Sequence, residues 1–396
     1  MTLFGYGVTN KAIAKKFGNC KIYDDNFNGV AYDKNGNEFL QADMFDPNKS
    51  ELEVTSPGIP PSNPLIKKAK NLISEYDLFS ETMPYSIWIS GTNGKTTTTA
   101  MIEFLLKEKG AVAGGNIGTP LAQLDENAPI WVLETSSFTL HYTNKAKPNL
   151  YVLLPISDDH TSWHGSFSEY EKAKLKPIKT LQEGEIAIVP KKYVDIESDG
   201  YLIGYDSVED LAQEFDIELQ KINFSEPFLT DAALALAVTK ILFDEIDYEK
   251  INSFVVGEHR VEKVLDKKKR IWINDSKATN LDATLAAVKG QKDKEIFLIL
   301  GGDDKGADLE PLFKNLSNNV TVFTIGSNED KLISLAKKYD IEFKKCGDLK
   351  TAVENISKIY TKEDQVALLS PAAASFDQFR SYAHRGEEFK EFVTKL

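Results

Sequence analysis

Ser86-Ile87-Trp88-Ile89-Ser90-Gly91-Thr92-Asn93-Gly94-Lys95-Thr96 reads as a short apolar strand, a glycine turn and a Gly-Lys-Thr that opens a helix. Thr97, Thr98 and Thr99 are weak helix formers, but Ala100-Met101-Ile102-Glu103-Phe104-Leu105-Leu106-Lys107 behind them is strongly helical. This arrangement turns backbone N–H groups and a helix N-terminus toward an anion. Its lysine reaches phosphate oxygens, and its threonine hydroxyl is available to Mg²⁺. The pattern is incomplete at its front, because the eight-residue form of such a loop has glycine at position 89, where Ile89 stands. Alone, the stretch is either a nucleotide-phosphate loop or a chance helix start.

On both sides of it, short apolar runs alternate with longer stretches of helical period, the pattern of parallel α/β sheets. With 396 residues the chain is too long for one core. Three blocks are expected, 1–82, 83–256 and 257–396. The first opens with strand, Gly-x-Gly turn and helix, and a second strand, Lys21-Ile22-Tyr23, ends in Asp24-Asp25. The third has strands at Ile271-Trp272-Ile273, Ile296–Leu300, Val320–Ile325 and Val366–Leu369. All the arginines, Arg260, Arg270, Arg380 and Arg385, fall in it, and arginine is the favoured bidentate partner of phosphates and carboxylates.

A net charge of −13 argues against a nucleic-acid or anionic-membrane binder, which needs a basic face. Cys20 and Cys346 lie far apart without metal-type spacing, so reduced, buried thiols are expected. The apolar runs are strand-sized and no leader precedes the first strand, which predicts a cytoplasmic protein with no membrane insertion.

Chemistry gathers at strand ends. Glu134 closes the strand Ile130-Trp131-Val132-Leu133, and Tyr151-Val152-Leu153-Leu154-Pro155 leads to Asp158-Asp159-His160. A carboxylate and an imidazole at strand ends beside a phosphate loop suit a divalent cation. Phe167-Ser168-Glu169-Tyr170-Glu171-Lys172-Ala173-Lys174 reads as a helix with Ser168 at its start. In the last block three polar loops follow strands: Asn274–Asn280, Gly301–Lys305 and Ser370–Phe379. Such residues also dominate ordinary turns, but Lys277 and Lys305 give two cations for the two carboxylates of a diacid.

With these strings in view, the sequence resembles the Mur ligase family. That family's phosphate loop has the Gly-Thr-Asn-Gly-Lys-Thr form, which accounts for Ile89. Gly114-Gly115-Asn116-Ile117-Gly118, Glu134-Thr135-Ser136-Ser137-Phe138, Asp159-His160, Tyr170-x-x-Ala173-Lys174-Leu175 and His259-Arg260 fit as well. The strings Asn274-Asp275-Ser276-Lys277-Ala278-Thr279-Asn280 and Ser370-Pro371-Ala372-Ala373-Ala374-Ser375 match members that add D-glutamate.

The resemblance implies a three-domain α/β fold: a Rossmann-like UDP-binding domain, a P-loop ATPase-type domain and a C-terminal Rossmann-like domain. It implies ATP-dependent joining of D-glutamate to UDP-N-acetylmuramoyl-L-alanine through an acyl phosphate, with two Mg²⁺ ions, by a monomer that contacts no nucleic acid. Gly91, Thr92, Asn93, Gly94, Lys95, Thr96 and Thr97 would bind ATP together with Arg260 and Asp275. Lys95, Glu134, His160 and Lys174 are the implied catalytic set, with Thr96, Glu134, His160 and a carbamylated Lys174 at the metals. Val8, Thr9, Asp24, Asp25, Ser56, Pro57, Gly58, Asn116 and Ser136 match positions at the UDP-sugar, and Lys277, Thr279, Lys305, Ser375, Phe376 and Tyr382 positions at D-glutamate.

Two departures stand out. Where the family has a Gly-x-His-Asn-x-x-Asn stretch at adenine, this chain has Glu226-Pro227-Phe228-Leu229-Thr230-Asp231, and Phe228 offers a ring to stack on the base instead. Thr139 occupies a position where glutamine is common. Another ligase of the same fold is the nearest alternative, and a nucleotide-driven switch without an amine substrate is the alternative of another class.

Overall fold

The computed structural model describes residues 1–396, and its strands form three six-stranded sheets. In the first, the order is Val30–Tyr32, Glu38–Gln41, Lys21–Asp24, Thr2–Phe4, Glu53–Thr55, Leu72–Ile73. The second runs Tyr201–Tyr205, Ile186–Pro190, Leu150–Leu153, Tyr85–Ser90, Ile130–Glu134, Ala111–Gly115 and is parallel throughout. The third runs Glu262–Leu265, Ile271–Asn274, Gln365–Leu369, Glu295–Leu300, Val320–Ile325, Phe343–Gly347. Two edge strands depart from the expected parallel pattern: Val30–Tyr32 and Glu262–Leu265 each pair antiparallel with their neighbours. Tight turns precede or follow both, and such a turn can join only antiparallel strands.

The chain divides into two compact units, residues 1–223 with 229–254, and residues 224–228 with 255–396. In the first unit one apolar core runs through both sheets, from Leu3, Ile13, Ile22 and Val54 to Trp88, Trp131, Leu133 and Tyr151, and a smaller one around Phe4, Tyr23 and Phe45 belongs to the first sheet alone. Tyr76 joins them, its ring edge-on to Trp88 at 4.8 Å and its hydroxyl donating to Glu134 O at 3.2 Å. Asp77 beside it accepts the backbone N–H groups of Asn144, Lys145 and Ala146. The helix Phe228–Phe243 is apolar around its whole circumference, and Ala232–Val238 are completely buried, as expected of a helix covered on all sides. In the second unit each sheet face has its own core, one around Ile296, Leu298 and Phe313, the other around Trp272, Phe297 and Phe389.

The middle sheet puts Tyr85–Ser90 between Leu150–Leu153 and Ile130–Glu134, although the next strand in sequence, Ala111–Gly115, lies beyond Ile130–Glu134. The order therefore reverses at the C-terminal end of Tyr85–Ser90, the crevice where open α/β sheets bind ligands. The phosphate-type loop begins at that point. Ser90 pairs with Leu153 and Ile89 with Glu134, so Glu134 and the segment leading to His160 start level with Gly91.

One helix start differs from the sequence reading. The helix Phe167–Leu175 is capped by Ser166, whose Oγ accepts Glu169 N, and not by Ser168. Ser166 has extended backbone and stands three residues before Glu169, as a cap acceptor requires. Cys20 is buried and Cys346 is partly exposed, both as free thiols. No helix is long and apolar enough to cross a membrane.

Candidate active site

The loop Gly91–Lys95 owes its shape to close packing. Gly91 has φ of 138°, and a Cβ there would lie 2.5 Å from Leu154 Cβ. Gly94 has φ of 82°, and a Cβ there would meet Asp231 Oδ1 at 2.7 Å. Both positions therefore require glycine. The helix Lys95–Leu106 starts directly after Gly94, so its first N–H groups open onto the loop. Asp231, in the segment where the sequence departs from the family, accepts Thr98 Oγ1 at 2.9 Å and braces this helix. Phe228 opens the helix Phe228–Phe243 half-buried.

Two lysine amines converge on one carbonyl. Lys95 Nζ donates to Gly91 O at 3.0 Å and to Thr92 O at 2.8 Å, while Lys174 Nζ donates to Gly91 O at 2.7 Å. Lys174 is 1% exposed, so burial drives its pKa far below the ordinary lysine value, and the nearby charge of Lys95 pushes the same way. Its helix is pinned from two sides: Tyr151 OH donates to Lys174 O at 2.7 Å, and the Tyr170 ring lies 4.8 Å from Lys174 Nζ. The Tyr170 hydroxyl pairs with Thr92 Oγ1 at 2.9 Å, tying that helix to the phosphate-type loop. Tyr170 was visible in the motif, but its partner 78 positions away was not.

Glu134 is buried at its strand end. Its Oε1 accepts Asn116 Nδ2 at 2.6 Å, bringing together two of the expected residues, while Oε2 is buried with no hydrogen-bond partner. A buried carboxylate oxygen is costly unless a donor or cation meets it, so the donor set fits a divalent cation. His160 adopts a left-handed φ of 55°, stands edge-on to Phe138 at 4.7 Å and lies 6.1 Å from the Tyr170 ring. Ser136 caps the helix Ser137–Tyr142 by accepting Thr139 N, so Thr139 belongs to a helix start. The next turn adds residues the sequence did not single out: Trp163 Nε1 donates to Gly58 O at 3.2 Å and Tyr142 OH to Ile59 O at 2.7 Å.

In the first sheet the expected UDP-sugar loops meet at the strand ends. Asp24 Oδ2 accepts Tyr6 N at 2.7 Å, and Ser56 closes on the Gly5–Gly7 turn, where its Oγ would stand 3.2 Å from a Cβ on Gly7. Val8 and Thr9 begin the helix Val8–Phe17, with Val8 66% exposed; Asp25, Pro57 and Gly58 line the same rim.

The second unit builds its rim from four strand ends. Asp275 is buried, with Oδ2 accepting Ser370 Oγ at 2.8 Å and Oδ1 accepting Val261 N at 3.2 Å. Burial raises its pKa to about 7 against the opposing pull of those bonds and of Arg260 and Arg385. Lys277 Nζ sits 4.0 Å from the Tyr382 ring centroid, so two of the expected diacid residues are in contact. Asp303 and Ala374 exchange backbone hydrogen bonds of 2.9 and 2.8 Å, which joins the Lys305 loop to the Ser375–Phe376 loop. Ser375 is buried and Phe376 is 69% exposed. Thr279 lies on the exposed side of its loop. Arg385, seen in the sequence only as one arginine of four, holds this rim from behind. It donates to Ser276 Oγ at 2.9 Å, Ser276 O at 2.8 Å and Ala373 O at 3.1 Å.

A switch-point phosphate loop with buried lysine and carboxylate, on one of three α/β sheets, defines a class of ATP-using ligases. The chain belongs to the Mur ligase family: residues 89–262 match the Mur ligase middle domain and residues 259–373 the Mur ligase glutamate ligase domain. It is 52% identical to the UDP-N-acetylmuramoylalanine–D-glutamate ligase of Campylobacter jejuni strain 81-176, covering 100% of both chains. With the ligase of the same name from Helicobacter pylori strain 26695 it shares 42%, covering 100% of this chain and 99% of that one. Among solved structures it resembles MurF from Thermotoga maritima in complex with ADP, with a TM-score of 0.58 and 17% identity over 87% of this chain and 88% of that one. Escherichia coli FolC in complex with DHPP and ADP gives a TM-score of 0.57 and 16% identity over 81% and 93%. At such identities these two likenesses speak for the fold alone.

Proposed function

We propose that this protein joins D-glutamate to UDP-N-acetylmuramoyl-L-alanine with cleavage of ATP to ADP and phosphate. Full-length identity to ligases of that name supports the reading. The geometric observation that carries it is the meeting of Lys95 and Lys174 on the Gly91 carbonyl beside the buried Glu134.

In this reading a carboxylate oxygen of the L-alanyl group attacks the γ-phosphorus as the bond to ADP breaks, leaving an acyl phosphate. The D-glutamate nitrogen then attacks the acyl carbon, the C–O bond to phosphate breaks, and the nitrogen gives up a proton. Gly91, Thr92, Asn93, Gly94, Thr96 and Thr97 line the phosphates with backbone N–H and hydroxyl groups, and Lys95 offsets their charge. Arg260, Asp275 and Phe228 serve the nucleoside end. Thr96, Glu134, His160 and Lys174 would hold Mg²⁺, two ions in all, which would supply charge neutralisation between carboxylate and triphosphate. For Lys174 to serve there its amine must change sign. A neutral amine adds CO₂ and releases one proton to give a carbamate, and burial, by lowering the pKa of this amine, favours the neutral form.

Val8, Thr9, Asp24, Asp25, Ser56, Pro57, Gly58, Asn116 and Ser136 bind the UDP-sugar, while Lys277, Thr279, Lys305, Ser375, Phe376 and Tyr382 bind D-glutamate. Domains 1–82, 83–256 and 257–396 serve UDP-sugar, ATP and amino acid in turn, each range enclosing one sheet. ATP use assigns the work to the cytoplasm, and the protein acts as a monomer. The test is phosphate release with UDP-N-acetylmuramoyl-L-alanine, ATP and a panel of amino acids. D-glutamate alone should stimulate it; equal stimulation by L-glutamate, D-alanine or L-lysine would refute the assignment.

A further inference from the structure

Lys305 is held in an uncommon conformation by residues outside its own loop. Its φ is 52°, a left-handed value that a lysine adopts only when its surroundings impose it. Asp303 Oδ1 accepts Lys305 N at 3.0 Å, and Asp304 Oδ1 accepts Gly306 N at 2.9 Å, so two aspartates bracket the lysine. Both are anchored in turn. Asp303 is paired through its backbone with Ala374, and Asp304 Oδ2 accepts Asn328 Nδ2 at 3.1 Å and Lys331 Nζ at 2.9 Å.

The anchor is the turn Gly326-Ser327-Asn328 at the end of the strand Val320–Ile325. Asn328 Oδ1 accepts Gly302 N at 3.1 Å, and Asn328 N and Ser327 Oγ donate to Gly302 O at 3.3 and 3.0 Å. Ser327 N donates to Asp377 Oδ2 at 2.8 Å, next to Phe376. Gly302 has no room for a side chain, because a Cβ there would stand 2.3 Å from Ala374 O. Asn328 therefore uses both ends of its amide, the oxygen on a backbone N–H and the nitrogen on a carboxylate. A carboxylate or hydrocarbon of similar size does only part of this.

We infer that Asn328 is a positioning residue for the amino-acid substrate: it sets the Gly301–Lys305 loop so that Lys305 meets a substrate carboxylate. The inference rests on the reading of Lys305 as a D-glutamate ligand. Lys331 is the outer member of the same device.

Steady-state phosphate release with the full-length enzyme tests it. Asn328→Ala should raise KM for D-glutamate about tenfold, equivalent to about 1.4 kcal/mol. KM for ATP and for UDP-N-acetylmuramoyl-L-alanine should stay within about twofold and kcat within about threefold, since the loss is one of substrate binding. Lys305→Ala should raise the same KM, and adding Asn328→Ala to it should bring little further change, because the two act as one unit. A rise shared by all three KM values, no rise, or full additivity in the double variant would overturn the role of Asn328. No effect of Lys305→Ala would instead remove the glutamate reading of Lys305 and the inference with it. Lys331→Ala takes away one of the two side-chain donors to Asp304, together with the Lys331 bond to Ala307 O, and so tests the same device without touching Asn328 should Asn328→Ala fold poorly. It should give a rise of about threefold in the same KM alone.

Discussion

Gly91 O accepts two lysine amines, and burial, followed by the charge of Lys95, lowers the pKa of Lys174. Two ammonium groups on one carbonyl repel, and the more deeply buried one gives up its proton more readily. Lys174→Ala should abolish turnover, and a small carboxylate such as formate or acetate should restore part of it by taking the carbamate's place. Absence of rescue, together with an unmodified lysine in the intact mass of the wild-type protein, would count against the carbamate. Asp275 offers a pH test. Its pKa is raised to about 7, so folding takes up a proton between the ordinary carboxylate range and that value. The stability tied to this proton is fully present below pH ~4 and is lost as pH rises to about 7, by up to ~4 kcal/mol at ~1.4 kcal/mol per unit. Asp275→Asn removes that slope, so denaturant unfolding should show the variant gaining on the wild type from pH 5 to pH 8. A difference unchanged between those pH values would contradict the shift.

Single elements carry the site, and the helix Phe167–Leu175 shows how. Its Ser166 cap satisfies a first-turn N–H and its later turns bury Tyr170, Ala173 and Lys174. Ser166→Ala should cost about 1 kcal/mol, the usual penalty for a lost cap, read as a lower melting temperature with the metal-dependent activity reduced alongside. The same helix marks the limit of what the sequence reveals. Strand ends such as Ser90, Glu134 and Leu369 were legible because apolar runs stop at polar loops. The lysine at 174 came from a motif, since periodicity alone makes it a solvated side chain. Ser166 was missed although Ser166-x-x-Glu169 has capping-box spacing, because Ser168 competes two residues later. Tyr170 on Thr92, Asp231 on Thr98, Arg385 on Ser276 and Asn328 on Gly302 join positions far apart in sequence. Such pairings depend on how strands are ordered in the sheet, which local pattern does not encode. The antiparallel edge strands are different: each pairs with the next strand in sequence across a short turn, a local signal that the alternation of strand and helix runs passes over.

For the molecule as a whole, the extent of each core matters more than the number of sheets. Leu3, on the first sheet, belongs to the same buried cluster as Trp88 and Trp131 on the second. Leu3→Ala should therefore cost about 2–5 kcal/mol and lower the unfolding transition of both sheets together. Hydrogen exchange would check it: accelerated exchange confined to residues 1–82 would show the first sheet unfolding on its own. The third sheet differs, with both faces covered by residues of its own unit. A segment that packs both faces of its own sheet can be exchanged for a relative's with that interior intact. On the proposed assignment of the amino acid to the last block, chimeras that swap residues 255–396 should change which amino acid is added, whereas a graft cut near residue 82 would split the core shared by the first two sheets.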